Sequence, residues 1–186
     1  KDIILMVDEY GKANPAVKNA MLRLLLERKM GGYTLTDKSV VFATTNLDTD
    51  GVQDNIPAHA YNRMTVCVMA NPTSEAWIQW AAEHDVCDEV LNIAREYPQM
   101  FECYTDTETQ QSDNPYIFNP LRGNTRAFVS PRSLEKASHL IKQRDTLGDA
   151  LLPALAGTVG EAAARDMEAM VMLGDSLPRL ATVTES

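Results

Sequence analysis

Three short apolar runs without polar alternation limit what this sequence can fold into more than any other feature. They cover residues 3–7, 40–43 and 64–69, and such runs are typical of strands buried on both faces of a parallel sheet. Asn14 followed by Pro15 matches a capping residue and the first position of a helix, and lies between the first two runs. Strands that alternate with helices predict an α/β domain with a parallel sheet.

Turn and helix signals give the rest of the predicted organisation. Gly31-Gly32 is expected to end the first helix, and a polar loop over 47–56 leads to a short helix from about residue 57. Beyond Pro72 the apolar spacing becomes helical. Helices are predicted at 73–83, 86–97 and 130–144. The capping-box spacing of Thr158 and Glu161 predicts a further helix at 158–173. A long exposed loop is expected over 103–125. We therefore predict a first domain at 1–71, a helical domain at 72–175 and a tail at 176–186.

The charge balance argues against one broad class of function. Acidic side chains outnumber basic ones by 26 to 17, for a net charge of −9, whereas a domain that grips nucleic acid normally presents a basic face. No apolar run approaches the roughly 20 residues of a membrane span, and the three cysteines fit no metal spacing and cannot all pair. We expect a cytoplasmic protein that binds neither nucleic acid nor membrane.

Polar side chains follow the first two apolar runs at the point where each strand ends. Asp8 and Glu9 come directly after the first strand, at the edge where open α/β sheets bind ligands. Phosphoryl transfer to water needs an acid that holds Mg²⁺ and a second group that orients the attacking water. Asn46 ends the second strand and can help to hold that water. The alternatives are a solvated turn for the two acids and a turn-forming amide for Asn46.

Two arginines are further candidates. Arg63 ends the short helix that starts near residue 57, where a cation is favourable in any case; the functional alternative is an arginine finger that reaches the phosphate of a neighbouring subunit. Arg132 lies in the first turn of the helix that begins at Ser130-Pro131, where its charge opposes the helix dipole. A nucleotide phosphate would suit Arg132, and the alternative is an ion pair with a nearby carboxylate.

In this order, the segments resemble the second half of a MoxR-like AAA+ ATPase module. The Walker B strand of the family resembles Ile4-Leu5-Met6-Val7-Asp8-Glu9, and its sensor 1 strand resembles Phe42-Ala43-Thr44-Thr45-Asn46. The end of its arginine-finger helix resembles Asn62-Arg63, and the sensor 2 motif of its lid resembles Ser130-Pro131-Arg132. The resemblance covers about residues 1–173 and is most specific in the first seventy. It implies an incomplete P-loop-type parallel sheet, an AAA+ core without its first strand, followed by an α-helical lid domain.

The resemblance also implies an activity and a set of roles. It implies ATP hydrolysis with Mg²⁺ in a ring-forming chaperone or remodelling motor. It also implies a homo-oligomer, which is hexameric in the family and often has a von Willebrand A domain partner. Glu9, Asn46 and Arg63 would be catalytic, and Asp8 and Arg132 would bind the nucleotide, Asp8 by holding Mg²⁺ through water. A GTPase of the related restriction-system type and a non-catalytic AAA+-like assembly module remain alternatives.

The sequence departs from this family in one essential motif. A complete module needs a glycine-rich loop that ends in Gly-Lys-Ser/Thr and cradles the phosphates. The single Gly-Lys pair, Gly11-Lys12, is followed by Ala13 and comes after the Walker-like strand, so it does not match. We therefore expect the natural protein to be longer, and we expect this chain alone to have negligible ATPase activity.

Overall fold

The computed structural model describes residues 1–46, 56, 58–104, 113–119 and 127–176. The chain divides into two compact units, Lys1–Met69 and Ala70–Ser186.

The first unit contains the predicted parallel strands. Strand β1 (Ile4–Val7) pairs with β4 (Val40–Ala43) in parallel, with Ile4 opposite Val40 and Val7 opposite Ala43. Helix α1 (Pro15–Glu27) lies between them in sequence and begins as predicted: the Asn14 side chain accepts a hydrogen bond from the Val17 N–H at 3.0 Å. A short helix α2 (Ala58–Tyr61) follows. The α/β class with parallel strands is thus confirmed.

The glycine pair after α1 has a different use from the predicted one. Helix α1 ends at Glu27, and the next residue, Arg28, adopts a left-handed conformation with φ 57. Gly31-Gly32 then forms the turn of a small antiparallel hairpin between β2 (Lys29–Met30) and β3 (Tyr33–Thr34). The prediction that the glycines end the helix was wrong because Arg28 itself supplies the left-handed residue that closes a helix.

The third predicted strand, at residues 64–69, is absent. The structure gives this segment no regular hydrogen-bonded pairing, and Val66, Val68 and Met69 are 54%, 67% and 88% exposed. A strand needs a ladder partner, and among the described residues β4 pairs only with β1. Apolar β-branched sequence alone therefore did not produce a strand here.

The two strands of the parallel pair are not buried on both faces, contrary to the prediction. Ile4, Met6, Val40 and Phe42 lie on one face and are between 43% and 77% exposed. The opposite face is covered: Val7 and Ala43 pack against a small core that includes Tyr10 and Leu22. Within the described residues of this unit, helices cover only one side of the pair, so half of its apolar side chains remain in water.

The second unit is helical, as predicted. Among its described residues the α-helices are α3 (Ser74–Ala82), α4 (Asp88–Glu96), α5 (Pro131–Lys142), α6 (Arg144–Leu147), α7 (Leu151–Val159) and α8 (Glu161–Ser176). Ile93, Leu134, Ile141 and Leu155 are fully buried in a core shared by α4, α5, α7 and α8. Ser130 caps α5 through a reciprocal capping box with Ser133. None of the described helices is long and apolar enough to cross a bilayer.

The junction between α7 and α8 differs from the predicted capping box. Thr158 lies inside α7, and its hydroxyl donates to the Ala154 carbonyl at 2.8 Å instead of capping α8. The break is made by Gly160, with φ 89 and ψ 159, a conformation that only glycine adopts readily. A Cβ at this position would lie 2.9 Å from the carbonyl oxygen of Ala127, so Gly160 also permits a close backbone approach.

The segment predicted as an exposed loop is partly buried where the structure describes it, at residues 113–119. Asn114, Tyr116 and Ile117 are each less than one-tenth exposed. The Tyr116 hydroxyl donates to Asp166 of α8 at 2.8 Å, and the Tyr116 carbonyl accepts from the Val129 N–H at 2.7 Å. Asparagine and proline signals indicated irregular structure correctly, but they carried no information about this anchoring.

The Tyr116 contact predicts a pH dependence of stability. Burial, which has the largest effect, and the hydrogen bond to Asp166 raise the pKa of Tyr116 to about 12. An unfolded tyrosine has a pKa of about 10. The stabilisation is therefore fully present below pH ~10 and is lost as the pH rises towards ~12. We expect the free energy of unfolding, measured by urea titration, to fall less between pH ~10 and pH ~12 in Tyr116→Phe than in the unmodified chain. Equal losses in both proteins would contradict this assignment.

Candidate functional site

The ends of the two parallel strands are joined through the backbone of Thr44, the residue after β4. The Thr44 N–H donates to the Val7 carbonyl at 3.0 Å, and the Thr44 carbonyl accepts from the Tyr10 N–H at 2.9 Å. The chain after β1 is therefore held against the end of β4 on both sides of the Asp8-Glu9 pair. The carboxyl ends of parallel strands meet at one edge, and here that edge carries both predicted acids.

The Thr44 side chain contacts both acidic residues. Its hydroxyl donates to the Asp8 carboxylate at 2.5 Å and accepts a hydrogen bond from the Glu9 N–H at 3.2 Å. One oxygen atom thus touches the Asp8 side chain and the Glu9 backbone. Both acids are exposed, so the two carboxylates face water at the edge of the sheet.

Glu9 has an unusual backbone conformation. Its φ of 53 and ψ of 39 are left-handed, which costs a non-glycine residue about 1 kcal/mol or more. Glu9 precedes a 3₁₀ turn, Tyr10–Lys12, and its carboxylate accepts from the Lys12 ammonium at 2.5 Å. The two side chains are 57% and 44% exposed, so this ion pair contributes little to stability. Its effect is local: it places a cation beside one of the two carboxylates.

Tyr10 anchors this turn in the core. Its ring is 2% exposed and packs with Leu22, Ile56 and Ala60, and its hydroxyl donates to the Lys18 carbonyl at 3.2 Å. Burial raises the pKa of Tyr10. Because the next residue after Glu9 is fixed in this way, the turn that bears the acids is attached to the small core of the first unit.

The other predicted residues lie in three different places. Asn46 follows Thr44 and Thr45 beyond the end of β4 and is partly buried. Arg63 lies just after α2, its N–H donates to the Ala60 carbonyl at 3.0 Å, and its side chain is exposed. Ala60 belongs to the same core as Tyr10, so the Arg63 segment is attached to the core that holds the acids. Arg132 is exposed in the first turn of α5 and belongs to the helical unit.

Sequence reasoning did not assign a role to two residues that contact the acids, Thr44 and Lys12. The sequence indicates Thr44 only as part of the end of an apolar strand. Lys12 follows Gly11, but the residues around this pair do not match the phosphate-loop motif. Its spacing of three residues from Glu9 was the relevant signal for an ion pair.

Comparison with known proteins does not extend this description. The chain matches no protein-family model, no curated protein and no solved structure. Among the described residues, no group of three or more histidine, cysteine or acidic side chains could hold a metal ion. Asp8 still suits Mg²⁺, which is often bound by one or two carboxylates together with water and the phosphates of a substrate.

Proposed function

We propose that the edge formed by Asp8, Glu9 and Thr44 is the hydrolytic half of a nucleoside-triphosphate site in a MoxR-like AAA+ ATPase with a P-loop-type sheet. The observation that carries this proposal is the pair of adjacent carboxylates after β1, joined to the end of the parallel strand β4 by Thr44. That edge is where open α/β sheets bind ligands. Two carboxylates there suit the two acidic tasks of phosphoryl transfer to water.

Each residue has a defined role in this proposal. Asp8 holds a hydrated Mg²⁺, which neutralises charge on the phosphates when it is bound. Glu9 accepts a proton from the attacking water, and Asn46 helps to orient that water. Arg63 acts across a subunit interface of a ring, and Arg132 acts on the nucleotide of its own subunit. The ring would work as a chaperone or remodelling motor, and the hexamer and a von Willebrand A domain partner belong to the same proposal.

A second candidate, a non-catalytic AAA+-like assembly module, has its own support. Glu9 pairs with Lys12 at 2.5 Å, and this pairing reduces the availability of the carboxylate as a base. The 186 residues also contain no Gly-Lys-Ser/Thr motif, which is the motif that cradles the phosphates in a complete module. The two candidates make opposite predictions for hydrolysis.

The direct test is Mg²⁺-dependent phosphate release. We expect the native assembly, isolated through a tag on this chain, to hydrolyse ATP with Mg²⁺ and to stop when EDTA removes the metal. The chain of 186 residues alone is expected to release no phosphate, because it lacks the loop that supplies most phosphate contacts. A preference for GTP would favour the GTPase alternative. No hydrolysis of either nucleotide by the intact assembly would favour the assembly module.

A further inference from the structure

We propose that Thr44 is a positioning residue whose hydroxyl determines where both acidic groups of the site stand. Its amide and carbonyl hold Val7 and Tyr10, and its hydroxyl holds Glu9 and Asp8. All three polar groups of one residue therefore bind four consecutive residues of the opposite strand end. The catalytic consequence of this inference rests on the proposed function, whereas its structural part does not.

The chemistry of the contact requires a hydroxyl. The Asp8 carboxylate only accepts hydrogen bonds and the Glu9 amide only donates one. A hydroxyl serves both because it donates one hydrogen bond and accepts others. Valine has the shape of threonine but neither function. Serine keeps the hydroxyl but lacks the second branch at Cβ that restricts the side-chain rotamer, so it should replace Thr44 only in part.

The backbone of Glu9 shows why this contact determines geometry. A left-handed residue other than glycine relaxes to a right-handed or extended conformation unless its surroundings hold it. The Thr44 hydroxyl is the acceptor for the Glu9 N–H. When that acceptor is removed, the conformation loses one of its supports. A change in φ at Glu9 swings its Cα–Cβ bond, and the carboxylate moves away from its position beside Lys12.

The structural part is tested by NMR on the 186-residue chain. In Thr44→Val, we expect the Glu9 amide to exchange with solvent about fivefold to tenfold faster, the equivalent of one lost hydrogen bond, and the strong intraresidue HN–Hα NOE of a positive φ to weaken. The Tyr10 amide should keep its protection, because its acceptor is the Thr44 carbonyl. An unchanged Glu9 amide and NOE would overturn the proposal.

The matched control is Thr36→Val. The Thr36 hydroxyl also donates to an aspartate, Asp2, at 2.7 Å, and also contacts Ser39, near the other end of the strand pair. This variant makes the same chemical change without touching Glu9, so Glu9 should be unaffected. If Glu9 responded equally to both variants, the cause would be a general loosening of the unit and not the loss of the Thr44 hydroxyl. That result would overturn the proposal.

The catalytic part is tested in the native assembly. A displacement of about 1 Å in a catalytic group lowers rates by up to ~100-fold, so Thr44→Val is expected to lower kcat by about 10-fold to 100-fold with little change in KM for ATP. Thr44→Ser should retain part of the rate. An unchanged kcat beside altered Glu9 signals would overturn the positioning role. An assembly that hydrolyses no nucleotide in any form would instead refute the proposed function and leave the NMR result to decide the structural part.

Discussion

Replacement of Gly160 by alanine is expected to destabilise the helical unit by about 3 kcal/mol, the upper end of the cost of such backbone strain. Gly160 has a φ of 89 between α7 and α8, and an added Cβ would lie 2.9 Å from the Ala127 carbonyl oxygen. Because that oxygen belongs to the backbone, it cannot move aside as a flexible side chain would. The measurement is urea unfolding of the 186-residue chain, followed by far-UV circular dichroism.

Gly157→Ala is the matched control and should act in the opposite direction. Gly157 lies in α7, and a Cβ there would meet no atom within 4 Å. Alanine is favoured over glycine inside a helix by up to about 1 kcal/mol, so this variant is expected to be more stable than the unmodified chain. If both variants lost stability to the same extent, the special role of Gly160 at the helix junction would be contradicted.

The largest expected functional effect is that of Glu9→Gln. In the native assembly, this change is expected to lower kcat by about 100-fold or more, the usual contribution of a general base, because the amide keeps the shape of the side chain but cannot accept the proton. Glu27→Gln is the control, since Glu27 is exposed at the end of α1 and pairs only weakly with Arg23 at 3.5 Å. Equal rates for Glu9→Gln and the unmodified protein would contradict the assignment of Glu9.

Mixtures of variants extend this test to the two arginines. We expect Arg63→Ala and Glu9→Gln assemblies to be inactive separately and to regain part of the activity when their subunits are mixed. Some interfaces then join an intact Glu9 to an intact Arg63 of a neighbour. Arg132→Ala should give no such recovery with Glu9→Gln, because every site lacks one of the two residues. Mixed rings without recovery for Arg63→Ala, or with recovery for Arg132→Ala, would contradict these roles.

Local signals predicted most of the elements of this fold, and two of the failures have a common cause. Asn14-Pro15 and Ser130-Pro131 begin helices because a capping side chain and a proline act within one turn. The predicted strand at residues 64–69 and the predicted burial of Ile4 and Met6 failed because both depend on partners distant in sequence. The Thr158 prediction failed for a local reason, because the helix that contains Thr158 continues to Val159 and is ended by Gly160.

The candidate site was predictable to a similar degree. The positions of Asp8 and Glu9 follow from two apolar runs that end in polar residues, and the parallel pairing of β1 with β4 agrees with that reasoning. The bridge through Thr44 could not be read from the sequence, because it depends on the register of β4 against β1, which decides the residue that lies opposite the turn after β1. The left-handed conformation of Glu9 was equally hidden, since glutamate shows no preference for it.

The uncovered face of the strand pair also influences how the protein behaves in concentrated solution. Ile4, Met6, Val40 and Phe42 are adjacent on that face and remain largely in contact with water. Contact between two such patches removes apolar surface from water, and sulfate strengthens this attraction. The net charge of −9 opposes it by repulsion between copies. We therefore expect contact between copies through this face to increase with the sulfate concentration, because sulfate both screens the charge and strengthens the attraction between apolar surfaces.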